Sequence, residues 1–450
     1  MYPALKKNVV IVKGYGASGI YDLNNGVFER VSHDAGDFLS QALNGLRPIN
    51  EFDIEEQAFI SEAHTQGLVE YHNISTKIIS TQLAEVLRSS RPIRFAWIEI
   101  ASICNQKCLH CFLGDELNKF NHMPLDKIKK NIDALVEEGV RQIVFSGGEP
   151  TLHPNIVEIL DYAGKTNVNI SLLTNGSSIK NASLIEAILR NDVVVKIPIL
   201  GWRDSHEKMT RVRGSFRKTI ATVIGYAKSG IRLQLGTTVT SVNASNIKKI
   251  VSFANFLGLP IEVSPIYKIG YAQKNSEVLF QHTMRELINF CKVNVKSRRP
   301  RYKQKEKRRD TIPKQVTDYE SVDIHNFLTD THECGQKIIA ILASGEVTPC
   351  LMIRSKSVSM GNANRDSLTS ILKGPTRADF HRKMKIDGIL DCKGCEARYV
   401  CKAGGCPATA LAFKGTINEK NPLYSNCYYV NPDTVDELKK LNLNQEENSI

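Results

Sequence analysis

No run of eighteen apolar residues occurs in this 450-residue chain, which argues against a membrane-spanning helix, and no membrane partner is expected. The opening MYPALKKNVV lacks the apolar core and cleavage site of a signal peptide, so a cytoplasmic protein is expected. In that reducing compartment disulfides are not expected, and the eleven cysteines point instead to metal ligation. The formal charge of +12 invites a nucleic-acid reading, yet nothing resembling a nucleic-acid motif accompanies it. Much of the excess sits in KSRRPRYKQKEKRR, Lys296 to Arg309, with nine Lys or Arg and one Glu. That run reads as a solvated linker, with a surface for an acidic peptide as the sharper alternative.

A further absence is local. The stretch CNQKCLHC, Cys104 to Cys111, has three cysteines within eight residues and no fourth nearby. Four thiolates close a tetrahedral zinc site or saturate a cubane iron–sulfur cluster, so three leave one metal position open. CxxxCxxC is too tight for a two-knuckle zinc site but lets one irregular loop wrap three corners of a cube. Seven more cysteines fall between Cys334 and Cys427, where a zinc ribbon would use four and leave three unexplained. Cys291, alone in the helical pattern TMRELINFCKV, reads as a small buried hydrophobe.

The length predicts two or three domains. Residues 1–90 hold three hairpin-like strands, NVVIVKG, SGIYDLN and GVFERVS, then two helical segments, DAGDFLSQAL and DIEEQAFISEAHTQGLV, a winged-helix pattern. Residues 91–290 alternate strand and helix, which predicts an α/β fold with a parallel sheet and helices outside. The expected strands are RFAWIEIA, RQIVFSG, VNISLLTN, VVVKIPIL, IRLQLGTTVT and PIEVSPI, six units of an open (β/α)6 barrel, three-quarters of a complete TIM barrel. Reactive groups of such a barrel gather at the carboxyl ends of its strands. The cysteine loop follows the first strand and SGGEP, Ser146 to Pro150, follows the second, so both face one cavity. A basic linker is placed at 291–330, the second cysteine set at 331–432, and a C-terminal helix with a polar tail at 433–450.

CxxxCxxC after strand one with GGEP after strand two strongly resembles the signature of the radical S-adenosylmethionine (SAM) enzymes. The resemblance implies that Cys104, Cys108 and Cys111 hold a [4Fe–4S] cluster whose vacant iron takes the amino and carboxylate groups of SAM. One electron from the cluster would then cleave the sulfonium to methionine and a 5′-deoxyadenosyl radical, which takes hydrogen from an unactivated C–H. Gly147 and Gly148 would let the backbone approach the methionyl group, and Glu149 would pair with its ammonium. His110 stands where the family has an aromatic side chain near adenine, or is a solvent-facing loop histidine. Thr174 and Asn175 end the third strand, where relatives contact the ribose, or form a plain Asn-Gly turn. At the fourth strand many peptide-modifying relatives read SxDG, whereas this chain has PILG, Pro198 to Gly201, which puts ribose recognition there in doubt.

The second set, Cys334, GEVTPC ending at Cys350, CKGCEARYVCKAGGC from Cys392 to Cys406, and Cys427, resembles the SPASM domain. Four residues rather than three separate Cys401 from Cys406, an insertion that Gly404 and Gly405 can absorb. By this resemblance Cys334, Cys350 and Cys406 bind the first of two auxiliary [4Fe–4S] clusters and Cys392, Cys395, Cys401 and Cys427 the second. The fourth ligand of the first cluster stays open between Asp330, His332 and substrate. Leu351 replaces the aspartate base of the sulfatase-maturing branch, so sulfatase maturation is not expected. Residues 1–90 look like the peptide-recognition element of ribosomal-peptide maturases, which implies leader binding by an added strand. A DNA-binding winged helix and a structural cap are the alternatives.

The resemblances together imply a radical SAM oxidoreductase that acts on a ribosomally made precursor peptide and installs a carbon–carbon or ether crosslink involving an aromatic side chain, in the manner of cyclophane or darobactin-type peptides. A flavodoxin or ferredoxin would supply electrons. Thioether formation, epimerisation, oxidation of a small molecule, and a non-enzymatic iron–sulfur scaffold or regulator are the alternatives. No catalytic acid or base is assigned.

Overall fold

The structure, a computed structural model, describes residues 1–22, 27–75, 93–177, 181–282, 286, 287, 290, 334, 335, 337–390, 392–401 and 407–419. Cys291, the basic run 296–309, Asp330, His332, Cys406, Cys427 and the segment 433–450 lie outside those residues.

The N-terminal region contains the three expected strands as an antiparallel sheet in the order β2–β3–β4, with β2 Val9–Lys13, β3 Ser18–Asp22 and β4 Val27–Val31. A separate antiparallel pair joins β1 Tyr2–Leu5 to β5 Val69–His72, an element not foreseen in the sequence because its two strands are far apart in the chain. The helix Ile54–Thr65 starts with a capping box: Glu56 N–H donates to Asp53 Oδ1 at 2.8 Å and Asp53 N–H to Glu56 Oε2 at 3.0 Å. Leu5, Val9, Ile20, Leu39, Phe52 and Ile60 bury a small core of their own.

Among the described residues the central sheet has nine strands. Six of them, β6 Phe95–Ala101, β7 Gln142–Gly147, β8 Asn169–Leu173, β9 Val194–Pro198, β10 Leu233–Val239 and β11 Ile261–Pro265, run parallel in sequential order. Helices 125–137, 156–164, 182–190, 215–228 and 247–257 connect them, and each buries its apolar stripe against the sheet. Ile98, Ile143, Phe145, Leu172, Val195 and Leu235 are fully or nearly fully buried in the shared core. Between Glu99 and Ala101 the β6–β7 register slips by one residue, leaving Ile100 unmatched. Such a bulge re-aims the chain, and here it lies just before the cysteine loop.

The C-terminal segment is not a separate layer. β12 Ile338–Ile341 adds to the open side of β6 in parallel, and β13 Glu346–Thr348 and β14 Gly361–Asn362 follow antiparallel. A buried ion pair seals this junction. Arg354 donates from both terminal nitrogens to the fully buried Glu99 carboxylate, at 2.6 and 2.9 Å, and from Nε to Glu116 at 2.9 Å. The same segment also meets the N-terminal sheet. Tyr15 N–H donates to Gly394 O at 2.7 Å, Tyr21 Oη to Glu396 O at 2.5 Å, and Arg30 Nε to the fully buried Glu396 side chain at 2.6 Å.

Candidate functional site

The bulged end of β6 feeds Ser102 to Cys111 across the mouth of the sheet, and backbone bonds pin that loop on both sides. Cys104 N–H donates to Asn118 Oδ1 at 2.9 Å, Cys111 N–H to Cys108 O at 3.1 Å, and Tyr271 N–H to Cys111 O at 2.8 Å. All three thiols are partly buried. Burial, with Glu149 and Cys111 nearby, pushes Cys104 up to about 11, and burial also raises Cys108 and Cys111. Three thiols held together in this way stay protonated on their own and become thiolates only against a cationic centre.

Among the described residues no three His, Cys, Asp or Glu side chains are gathered tightly enough for a single metal ion. Three thiols from one loop leave one corner of a cubane without a protein ligand, so the donor set fits a [4Fe–4S] cluster with one open iron. Gln106 supplies a second indication. It is buried, its Oε1 lies 3.5 Å from Cys108 Sγ, and its amide nitrogen has no partner among the described residues. A donor left unmet beside cysteine sulfur matches an acceptor-rich cluster.

The GGEP turn at the end of β7 packs directly on this loop. Gly148 N–H donates to Ala101 O and Glu149 N–H to Ile103 O, both at 2.8 Å. A Cβ on Gly147, at φ +136°, would lie 1.9 Å from Ala101 O, and one on Gly148 would lie 2.4 Å from Ile103 O. Close approach of the cysteine loop itself therefore requires both glycines, a reason not visible in the motif.

Glu149 is fully buried and ties three elements together. Its Oε1 accepts from Thr151 N at 3.1 Å, Thr151 Oγ1 at 2.5 Å and Thr174 Oγ1 at 2.6 Å, and its Oε2 accepts from Asn175 N at 2.7 Å. Burial raises its carboxyl pKa, and these donors pull it partly back. Oε2, with one neutral donor, keeps acceptor capacity for a cation. Thr174 and Asn175 thus brace Glu149. Asn175 also reaches Asn105 Oδ1 at 2.8 Å and lies 3.9 Å from Cys104 Sγ, while its own Oδ1 caps Ser177.

His110 is not a solvent-facing loop residue: burial pulls it down to about 4, and its Nδ1 is buried with no partner among the described residues. Pro198 ends β9, and Leu200 is buried, so no side-chain polar group comes from PILG. His206, six residues beyond Leu200, is a buried polar neighbour that sequence reading passed over; its only signal was its place in DSHEKMTRVRGSF.

In the second set, Cys334 and Cys350 come together. Their side chains are hydrogen-bonded, which holds the Cys350 thiol below its ordinary value. Cys392 and Cys395 occupy a turn closed by Cys395 N–H to Cys392 O at 2.9 Å, and Cys401 ends the short helix Arg398–Cys401.

Residues 98–254 match the radical SAM superfamily, and residues 333–396 match SPASM, an iron–sulfur cluster-binding domain. The antilisterial bacteriocin subtilosin biosynthesis protein AlbA of Bacillus subtilis is 27% identical over 285 residues, 62% of this chain and 59% of AlbA. An AdoMet-dependent heme synthase of Methanosarcina barkeri is 26% identical over 357 residues, 75% of this chain and 97% of the synthase. Streptococcus suis SuiB, in its crystal structure bound to precursor peptide SuiA, superposes with a TM-score of 0.54 at 15% identity, covering 93% of this chain and 98% of SuiB, a likeness of fold. Radical SAM domains bind SAM and a [4Fe–4S] cluster, and SPASM domains bind auxiliary iron–sulfur clusters. The first cysteine set falls within the radical SAM match, and Cys334, Cys350, Cys392 and Cys395 of the second within the SPASM match, so the chain carries a radical SAM domain followed by a SPASM iron–sulfur domain.

Proposed function

We propose that this enzyme uses SAM to abstract hydrogen from a ribosomally made precursor peptide and closes a side-chain crosslink, carbon–carbon or ether, at an aromatic residue. The observation that carries the radical step is the loop of Cys104, Cys108 and Cys111, braced by the Glu149 network at the ends of three parallel strands. The peptide substrate is supported by the likeness to AlbA and by the N-terminal sheet, whose place in the chain suits a leader-binding module.

In this reading Cys104, Cys108 and Cys111 hold the cluster, and SAM on that cluster supplies a 5′-deoxyadenosyl radical. Glu149 Oε2 receives the ammonium of the cofactor, His110 packs beside adenine, and Thr174 and Asn175 hold Glu149 and the turn next to the ribose. Cys334, Cys350 and Cys406 would hold one auxiliary cluster and Cys392, Cys395, Cys401 and Cys427 a second, and the pair would supply an acceptor for the electron released when the crosslink closes. Residues 1–90 hold the leader as an added strand, and a flavodoxin or ferredoxin in the cytoplasm delivers the reducing electron.

The test is mass spectrometry of a short peptide encoded beside this gene and coexpressed with the enzyme. Loss of two hydrogens per crosslink is expected, and an unmodified peptide alongside active SAM cleavage would overturn the reading. The heme synthase relative, matched over nearly its whole length, favours a second reading in which the substrate is a small molecule. Stimulation of 5′-deoxyadenosine formation by an iron tetrapyrrole rather than by the peptide would establish that reading instead.

A further inference from the structure

The end of β9 lacks the serine and aspartate of related enzymes, and the helix that follows carries a buried ring nitrogen with no partner among the described residues. His206 is 1% exposed, in the helix Asp204–Thr210. Leu200 N–H donates to its Nδ1 at 3.1 Å. An imidazole that accepts at Nδ1 is neutral when its proton sits on Nε2, so Nε2 is a donor. That nitrogen is buried and has no partner among the described residues. An uncharged ring is what burial favours here: together with the nearby His110, it pulls His206 down to about 4.

The ring is fixed in place. Phe216 meets it edge-on at 5.8 Å, and the turn before it needs Gly201, at φ +152°, where a Cβ would come within 2.7 Å of His206 N. The helix that carries His206 is stitched to the cluster loop by Lys107 N–H to Thr210 O at 3.2 Å and Leu109 N–H to Met209 O at 2.8 Å. His206 and His110 therefore stand at one junction, between the end of β9 and the cysteine loop. Each has a buried nitrogen without a partner among the described residues. Buried donors in native proteins are nearly always matched, and an unmatched one next to a cofactor site is a candidate contact to that cofactor.

We propose that His206 donates a hydrogen bond from Nε2 to the nucleoside half of SAM and takes over the recognition that PILG removes from the fourth strand. This rests on the radical SAM reading above. The amino-acid half of the cofactor is assigned to the open iron and Glu149, so His206 acts on the adenosyl end alone. The contact also makes Leu200 a positioning residue, since its N–H selects the tautomer that can donate.

Two substitutions in the full-length holoenzyme, reconstituted without oxygen, separate this contact from a packing role. His206→Asn places an amide oxygen where Nδ1 was and keeps the bond from Leu200, but loses the distal donor. His206→Gln keeps a distal N–H donor and gives up the bond to Leu200. Equilibrium dialysis with labelled SAM, S-adenosylhomocysteine and methionine supplies the readout, with iron content and thermal midpoint measured on each protein. The Asn variant is expected to bind SAM and S-adenosylhomocysteine roughly tenfold more weakly with methionine binding unchanged, and the Gln variant to recover most of the loss. Wild-type affinity for SAM in the Asn variant would overturn the inference and leave the radical SAM reading standing. So would parallel loss of methionine binding and iron, which would mark His206 as structural. Failure of wild-type protein to bind SAM or assemble the first cluster would overturn both.

Discussion

The loop 104–111 and the turn 392–395 are both cysteine-bearing, yet they are held in opposite ways. The first is braced by chain that lies close in the barrel: the β6 bulge, Asn118, the GGEP turn and Asn175. The second leans on residues nearly the length of the chain away. Tyr15 bonds Gly394, and Tyr21 and Arg30 bond Glu396, one residue after Cys395. A Cβ on Gly394 would sit 1.8 Å from the Tyr15 ring, so the two segments are in direct contact there. The radical site is therefore local and self-supporting, while the auxiliary turn is a property of the whole fold.

That contrast breaks most sharply at the cysteines. Cys104→Ala is expected to reduce 5′-deoxyadenosine formation to background under chemical reduction, whereas Cys392→Ala leaves it measurable and removes the peptide product. Undiminished product in the Cys392 variant would dissolve the division of labour. Gly148→Ala comes next, because its methyl meets Ile103 O at 2.4 Å and no side chain is there to move aside. It should strip iron from the first cluster without touching the rest, as Mössbauer spectra would resolve.

Arg354→Met tests the seam between the two domains. It leaves Glu99 buried without its cation, and a loss of about 3–5 kcal/mol in unfolding free energy is expected by denaturant titration. Arg30→Met does the same to Glu396 from a more exposed partner, so about 2 kcal/mol is expected. Its diagnostic effect is on metal: about four of roughly twelve irons per chain should be missing, all from the auxiliary set. Full iron content in that variant would mean the turn stands without its N-terminal support.

The smallest effect concerns acid. His206 lies near 4 in the folded protein against an ordinary 6.5, so the unfolded chain takes up its proton first as pH falls below about 6.5. Stability is lost from there down toward 4, and about 1 kcal/mol of the loss should be present at pH 5.5. His206→Gln should flatten that slope in urea titrations between pH 7 and 5.5. An unchanged slope would assign the acid sensitivity to other groups.

The six parallel strands were legible because their apolar runs are bounded by turn residues and separated by amphipathic helices at regular intervals. The cysteine loop and GGEP were legible as motifs, since spacing and strand position alone bring them to one face. What the motifs hid is why Gly147 and Gly148 are glycines: the crowding comes from Ala101 and Ile103, whose approach depends on a one-residue bulge with no signature of its own. The pairing of β12 with β6 and the Glu99–Arg354 contact were equally hidden, because both join segments more than two hundred residues apart. A lone glutamate in RFAWIEIA looks like an ordinary alternation break until its arginine is known. His206 escaped for a different reason. Its chemistry lies in which nitrogen is already engaged, and a backbone N–H from Leu200 decides that.

The bonds from Tyr15, Tyr21 and Arg30 to Gly394 and Glu396 also set an order of events during synthesis. The ribosome releases the first sheet long before its docking surface exists, so that face must wait, wet and uncovered, until the last quarter of the chain emerges. An isolated fragment of residues 1–90 would keep that waiting state permanently, and it would report on peptide binding by a looser body than the one the finished enzyme presents.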